Sequence, residues 1–181
     1  VARDENFAVR VKAVKAAISD RTKIISLVNP NSPTGTITPQ KDILEILDTG
    51  LPVLVDEAYY EFSGETVVPL LSQYENLMVL RTFSKWAGLG GLRIGYGVYP
   101  RELCQQLWKI KPPYSVNVAA QEAALASLAE KDYLMRNVER IVAERERLFA
   151  LLAETPGLIA YPSRANFILC RLLNARALRV K

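Results

Sequence analysis

The clearest chemistry in this sequence comes from a lysine that precedes a glycine-rich run. Lys85 follows the hydroxyl residues Thr82 and Ser84, and Arg93 comes after the glycines of positions 88–91. A lysine amine can form an imine with a carbonyl, while hydroxyls, backbone N–H groups and an arginine can together bind a phosphate. The segment predicts a site for a small phosphorylated ligand that carries a carbonyl. Taken alone it also fits a surface lysine beside a turn, so the hypothesis depends on the rest of the chain.

A carboxylate at the end of a buried strand is the second candidate. Positions 52–55 are apolar and predict a buried strand, and Asp56 and Glu57 follow it directly. An acid in such a place is costly unless a cation pairs with it, and a bound ligand could supply that cation. The alternatives are a helix cap or a structural ion pair. Glu57 is interpreted as a support for the loop.

Three polar motifs each follow a predicted strand. An Asn-Pro-Asn-Ser-Pro-Thr-Gly segment at 29–35 follows the apolar run 22–28, Asp56 follows 52–55, and Lys85 comes after 77–80. Amphipathic helical patterns alternate with these runs, which predicts an α/β fold with a mostly parallel sheet and helices on both faces. Ligands bind at the carboxyl ends of the strands in such sheets. The three motifs are therefore expected to converge on one crevice.

Together, in this order, the motifs resemble those of fold-type I, pyridoxal-phosphate-dependent aminotransferases. The Tyr-Tyr-Glu-Phe segment at 59–62 and the Gly-Leu-Gly-Gly-Leu-Arg run at 88–93 are most similar to the histidinol-phosphate aminotransferase subfamily. The resemblance extends from about Val9 to Phe167. It implies that pyridoxal 5′-phosphate is the cofactor, and that an amino-acid or amino-phosphate substrate and a 2-oxo acid are the partners in transamination.

The resemblance also implies roles for individual residues. Lys85 would bind the cofactor carbonyl and then move the substrate proton, Asp56 would pair with the pyridine nitrogen, and Tyr59 would hydrogen-bond the 3′ oxygen. The cofactor phosphate would be bound by Thr82, Ser84 and Arg93.

The Asn-Pro motif departs from the form most relatives have. An asparagine usually stands directly before Pro-Thr-Gly and contacts the cofactor ring oxygen, whereas here Ser32 has that place and Asn31 precedes it. Either residue could make the contact, and Asn31 is the predicted one. The peptide bond before Pro33 is a candidate for the cis form.

The family's architecture implies two domains and a pair of subunits. Residues 1–154 correspond to part of the large, cofactor-binding domain with the long interdomain helix, and 155–181 to the start of a small α+β domain. The resemblance implies a homodimer. The family's proteins are about twice as long, so the chain is expected to be a fragment, and the arginine that binds the substrate carboxylate is expected outside it.

Composition excludes several other classes of protein. Histidine is absent among the 181 residues, which removes Ser-His-Asp and Cys-His catalysis and leaves proton transfer to Lys, Tyr, Asp or Glu. The net charge of +4 is modest and mixed in sign, so neither nucleic acid nor membrane is an expected partner. Cys104 and Cys170 lack metal-site spacing, which favours reduced thiols and a cytoplasmic protein, and no metal is expected.

Alternative functions share most of these features. An aromatic or broad-range aminotransferase, or a phosphothreonine decarboxylase of the same fold, would have nearly the same motifs. A different class is the aminotransferase-like half of a regulator that senses pyridoxal phosphate, which would need a DNA-binding domain upstream. A third possibility is a domain that no longer binds the cofactor well.

Overall fold

The structure is a computed structural model that describes residues 1–173. Its α-helices are α1 (Val11–Ala16), α2 (Gln40–Leu47), α3 (Tyr60–Ser63), α4 (Arg101–Ile110), α5 (Val118–Ala129) and α6 (Lys131–Ala153). Its strands are β1 (Ile25–Val28), β2 (Val53–Asp56), β3 (Leu77–Thr82), β4 (Gly95–Val98), β5 (Leu158–Ala160) and β6 (Cys170–Leu172). Two short 3-10 helices span Val68–Ser72 and Gly90–Leu92.

A four-stranded sheet in the order β1-β2-β3-β4 forms the centre of the fold. β1, β2 and β3 pair in parallel, whereas β4 pairs antiparallel with β3. In the register of the parallel pairs, Val28 lies opposite Asp56 and Asp56 lies opposite Leu80, so these strands end at the same edge. The predicted mostly parallel sheet with helices is confirmed. β5 and β6 form a separate antiparallel pair.

The hydrophobic core covers one face of the four-stranded sheet. Alternate strand residues point into it, because successive side chains of a strand face opposite sides. Against these residues pack α1, α2 and residues 67–71 around the first 3-10 helix. The strand residues Val53, Val55, Leu77 and Val79 are completely buried. On the other face Leu54 and Leu80 are only half-buried and Ser26 is exposed.

Several predicted boundaries differ from the structure. The apolar spacing of residues 7–18 predicts a helix there, but α1 covers only Val11–Ala16. Before it, Phe7 has a positive φ of 62°, and the Asp4 carboxylate accepts hydrogen bonds from the Asn6 and Ala8 N–H groups in a turn. The Thr38-Pro39 pair predicts a helix that begins with Thr38 as its cap and Pro39 as its first residue. Instead α2 begins at Gln40, and the Thr38 hydroxyl is buried without a hydrogen-bond partner among residues 1–173.

The sequence pattern of 118–154 predicts an almost wholly helical segment. The structure confirms it as two helices, α5 and α6, that meet at Glu130. Asn117 caps α5 by accepting a hydrogen bond from the Ala120 N–H at 2.8 Å. The apolar residues of 166–170 predict a strand there. The observed strand, β6, begins only at Cys170, where pairing with Ala160 starts. Within the described residues, no helix combines the length and apolarity that crossing a membrane requires.

Candidate active site

Two neighbouring strands deliver the predicted chemical groups to one cavity. Asp56 is the last residue of β2, and Thr82 is the last residue of the adjacent β3. An open cavity of about 620 Å³ lies at this edge, lined by Asp56, Thr82, Ser84, Lys85 and Arg93 among other residues. The predicted convergence on one crevice is therefore observed for five of the seven predicted site residues.

Hydroxyl groups and a guanidinium form one end of the cavity. The Ser84 N–H donates to Thr82 Oγ1 at 3.0 Å, and the two hydroxyls lie 2.9 Å apart. Arg93 has a left-handed backbone, with φ of 56°, and its exposed side chain donates to the Gly90 carbonyl at 2.7 Å. This end of the cavity can bind an anion, because it presents donors and a positive charge without an acid.

Lys85 projects from the segment that follows β3 and is exposed. Its Nζ lies 5.3 Å from the centre of the Tyr59 ring, within the range of a cation–π contact. Tyr59 packs edge-on against Phe167, with ring centres 5.3 Å apart and planes at 88°. Tyr59 therefore lies beside the lysine, although it is outside the immediate lining of the cavity.

Glycines of β4 leave room for this cavity. A Cβ atom at Gly97 would lie 2.1 Å from the Tyr99 ring, and one at Gly95 would lie 2.6 Å from the carbonyl oxygen of Arg81. Side chains at these two lining positions would therefore displace the surrounding atoms. The sequence predicted a place at the site only for the glycines of 88–91, and not for these two.

A second wall of the cavity contains a charge that the sequence analysis also missed. Arg81 lines the cavity and forms an ion pair with the fully buried Glu57 at 2.9 Å. Burial alone would lower the pKa of Arg81, but interactions with Tyr96 and Glu57 outweigh it and raise that pKa above its usual value. The supporting role expected of Glu57 agrees with these contacts. A charged residue within β3, next to Thr82, was the signal that could have identified Arg81.

Asn31 is not brought to this cavity. Its Oδ1 accepts a hydrogen bond from Arg3 at 3.0 Å and its Nδ2 donates to Thr34 Oγ1 at 2.7 Å, so the buried amide is used within its own loop. It lines a different cavity, beside β1, together with Arg3. The neighbouring Ser32 is exposed, and the peptide bond between Ser32 and Pro33 is cis.

The side chains that line the cavity can bind or react with particular chemical groups. Among residues 1–173, neither Lys85 nor Arg93 forms an ion pair, so the cavity offers two cations to a bound anion. An exposed lysine amine can react with a carbonyl, and Asp56 can accept a hydrogen bond from a cationic ring nitrogen. The described residues contain no group of acids and cysteines arranged to hold a metal ion. The residues present thus fit a ligand with a phosphate, a carbonyl and a basic nitrogen.

Comparison with known proteins gives a consistent result. The model of a protein family described as aminotransferase class I and II matches residues 1–180. Over 181 residues the chain is 49% identical to a histidinol-phosphate aminotransferase of Dehalococcoides mccartyi, covering 100% of the chain and 51% of that relative. The chain thus spans about half the length of the curated relatives it matches.

Solved structures with the same fold are also similar. A histidinol-phosphate aminotransferase from Clostridium acetobutylicum has a TM-score of 0.86 at 27% identity, with 94% of this chain and 54% of that one covered. A histidinol-phosphate aminotransferase from Sinorhizobium meliloti, solved in complex with pyridoxal-5′-phosphate, has a TM-score of 0.84 at 28% identity, with 98% of this chain and 50% of that one covered.

Proposed function

This chain belongs to the aminotransferase class I and II family, and we propose that the full-length protein transfers an amino group from histidinol phosphate to 2-oxoglutarate. The observation that carries the proposal is the single cavity lined by Asp56, Thr82, Ser84, Lys85 and Arg93. The identity of 49% to a histidinol-phosphate aminotransferase supports the choice of substrate, and the place of the reaction in histidine biosynthesis.

Pyridoxal 5′-phosphate fits the side chains of this cavity. The Lys85 amine would hold its carbonyl carbon, and Asp56 would hold its ring nitrogen in the protonated form. When bound, this cofactor supplies an electron sink that stabilises negative charge at the substrate Cα. The phosphate would be bound by Thr82, Ser84 and Arg93, and Tyr59 would hydrogen-bond the ring oxygen from its place beside Lys85.

The proton transfers would fall to Lys85. Histidine, the commonest general base, is absent from the sequence, and Lys85 is exposed and not engaged in an ion pair within residues 1–173. Its free Nζ would remove the proton from the substrate Cα. The orientation of Asp56 is supported by the Ala58 N–H, which donates to Asp56 Oδ1 at 3.0 Å.

We further propose that the protein is a cytoplasmic homodimer. Large apolar side chains are exposed along α4 and the segment after it, including Trp108 (71% exposed), Ile110 (76%) and Tyr114 (97%). Such a surface favours association, and two subunits would share it symmetrically. Light scattering of the full-length protein tests the dimer, and a catalytically competent monomer would refute it. Localisation by fractionation of the producing cells tests the compartment.

The proposed activity is tested on the full-length protein with its cofactor. Borohydride reduction followed by peptide mass mapping should place the pyridoxyl group on Lys85, and an adduct on any other lysine would refute the assignment. Half-reactions with histidinol phosphate, phenylalanine, tyrosine and phosphothreonine should show the fastest loss of the visible absorbance with histidinol phosphate. A faster reaction with another amine would keep the aminotransferase and reject the proposed donor.

A further inference from the structure

The second wall of the cavity contains a buried ion pair, with its hydrogen-bond partners, that no step of the proposed chemistry uses. Glu57 is 0% exposed. Its Oε2 accepts from Arg81 Nε at 3.0 Å, from Arg81 Nη2 at 2.9 Å and from Thr66 Oγ1 at 2.8 Å, and its Oε1 accepts from the Val67 N–H at 2.7 Å. Arg81 Nη2 also donates to Thr66 Oγ1 at 2.6 Å. A buried carboxylate needs such partners, since its desolvation would otherwise oppose folding.

Little of the Arg81 guanidinium remains for a ligand. Its Cζ lies 3.5 Å from the centre of the Tyr60 ring. Its Nε donates to Glu57, and its Nη2 donates to both Glu57 and Thr66. Across the β3–β4 pair, Tyr96 is its register partner. Although Arg81 lines the cavity, its geometry is that of a group held in place, unlike the exposed Arg93.

The position of this ion pair along the sheet gives it a consequence for the site. The last backbone bond that joins the two segments runs from the Glu57 N–H to the Leu80 carbonyl at 2.8 Å. Beyond it, the Glu57–Arg81 side chains bridge the two segments where they separate. Glu57 directly follows Asp56, and Arg81 directly precedes Thr82, so the bridge joins the two segments that supply these lining residues to the cavity.

We propose that Arg81 is a positioning residue that, through Glu57, sets the spacing between Asp56 and the anion-binding hydroxyls of Thr82 and Ser84. The inference rests on the proposed function, because a cofactor that contacts both Asp56 and these hydroxyls would be bound well only if their spacing suits it. Groups that fix the residues touching a ligand contribute to affinity by reducing the ordering required on binding.

The test uses the full-length protein with charge-removing and charge-keeping variants. R81K keeps the charge but loses the forked geometry. The double variant E57Q/R81M removes both charges, so that no buried charge is left unpaired, and its glutamine can still accept from Thr66 and Val67. The matched control is E144Q/R147M, which removes the exposed ion pair of Glu144 and Arg147 on α6.

The first measurement needs no cofactor. Hydrogen–deuterium exchange of the cofactor-free protein should be at least about tenfold faster in E57Q/R81M, relative to wild type, in both segments 56–60 and 82–93, with no change in the control. Faster exchange confined to 64–68 would overturn the proposal. A wild-type protein that binds no pyridoxal phosphate would refute the proposed function, and the exchange in the two segments would still decide whether Arg81 positions them.

The second measurement separates positioning from mere stability. In E57Q/R81M the dissociation constant for pyridoxal phosphate should rise at least about tenfold, and the pH midpoint of the visible absorbance should shift, because Asp56 no longer meets the ring nitrogen correctly. R81K should give intermediate values, and the control should match wild type. A double variant with a lower melting temperature but wild-type affinity and pH midpoint would overturn the proposal.

Discussion

The two walls of the cavity use the same kinds of charge in opposite ways. On one wall Glu57 and Arg81 are buried or nearly so and pair with each other. On the other, Lys85 and Arg93 are exposed, and neither forms an ion pair within residues 1–173. Charges withdrawn from water need partners, whereas exposed charges can remain available for a ligand. We therefore expect the wall with Glu57 and Arg81 to hold the shape of the site, and the wall with Lys85 and Arg93 to take part in its chemistry.

The largest effect is expected from removing Lys85. Lys85→Ala should lower the rate of the half-reaction with the amino donor by about 10²- to 10⁴-fold, the usual contribution of a general base. Single-turnover absorbance measurements on the full-length enzyme check it. Lys41→Ala, an exposed lysine of α2, is the control and should behave as wild type. A Lys85→Ala rate within tenfold of wild type would remove Lys85 from the chemistry.

Asp56 also lines the cavity, and its replacement tests whether it serves the chemistry or the fold. Asp56→Ala should keep the cofactor bound through Lys85 and Arg93 but lower turnover roughly a hundredfold or more, because the ring nitrogen loses its charge partner. Steady-state turnover and bound-cofactor absorbance are measured together. Near-normal activity would mean that Asp56 is structural.

The anion-binding end should show an effect on affinity with little effect on stability. Arg93→Ala should raise the dissociation constant for pyridoxal phosphate about 10- to 100-fold, since a hydrogen bond to a charged group is worth about 1.5–3 kcal/mol. Arg93→Lys should be intermediate, and Arg21→Ala, an exposed arginine before β1, is the control. If Arg93→Ala instead lowered the melting temperature and left affinity unchanged, Arg93 would belong to the wall that holds the shape.

The smallest effect concerns Glu61, a half-buried acid of α3 whose Oε2 has no hydrogen-bond partner among the described residues. Burial raises its pKa from 4.5 to about 7. Because the folded-state pKa is raised, the folded protein favours the protonated form. The corresponding stability is present below about pH 4.5 and is lost as the pH rises through about 7.

Glu61→Gln should therefore raise the melting temperature at pH 8 by about 2–4 °C, with the difference shrinking towards pH 5. Thermal unfolding of the full-length protein at several pH values measures it, and Glu75→Gln, an exposed acid, is the control. An equal difference at every pH would show that Glu61 does not titrate in this range.

Local patterns predicted the parts of the site that depend on a short stretch of chain. The apolar runs before Asp56 and Thr82 predicted β2 and β3, and both residues lie at strand ends that meet at one cavity. The separation into domains at 154 and 155 stays a prediction, and residues 174–181 of the smaller one lie outside the described residues.

Asn31 shows what local reasoning could not supply. The motif placed an amide at a strand end, but only the folded chain brings Arg3 and Thr34 close enough to use both ends of that amide. The apolar pattern of β4 likewise does not predict its antiparallel direction. That direction depends on the path of the segment 83–94 between β3 and β4.

The sequence by itself determined which groups can do chemistry: an amine, hydroxyls, a guanidinium and a carboxylate, on segments that follow apolar runs. Only the tertiary structure decided which charges are partnered. Glu57 and Arg81 lie on different strands, and their pairing depends on the parallel register of β2 and β3 and on the burial that this register produces. Hydrophobic periodicity is a property of neighbours along the chain, whereas desolvation and ion pairing depend on neighbours in space.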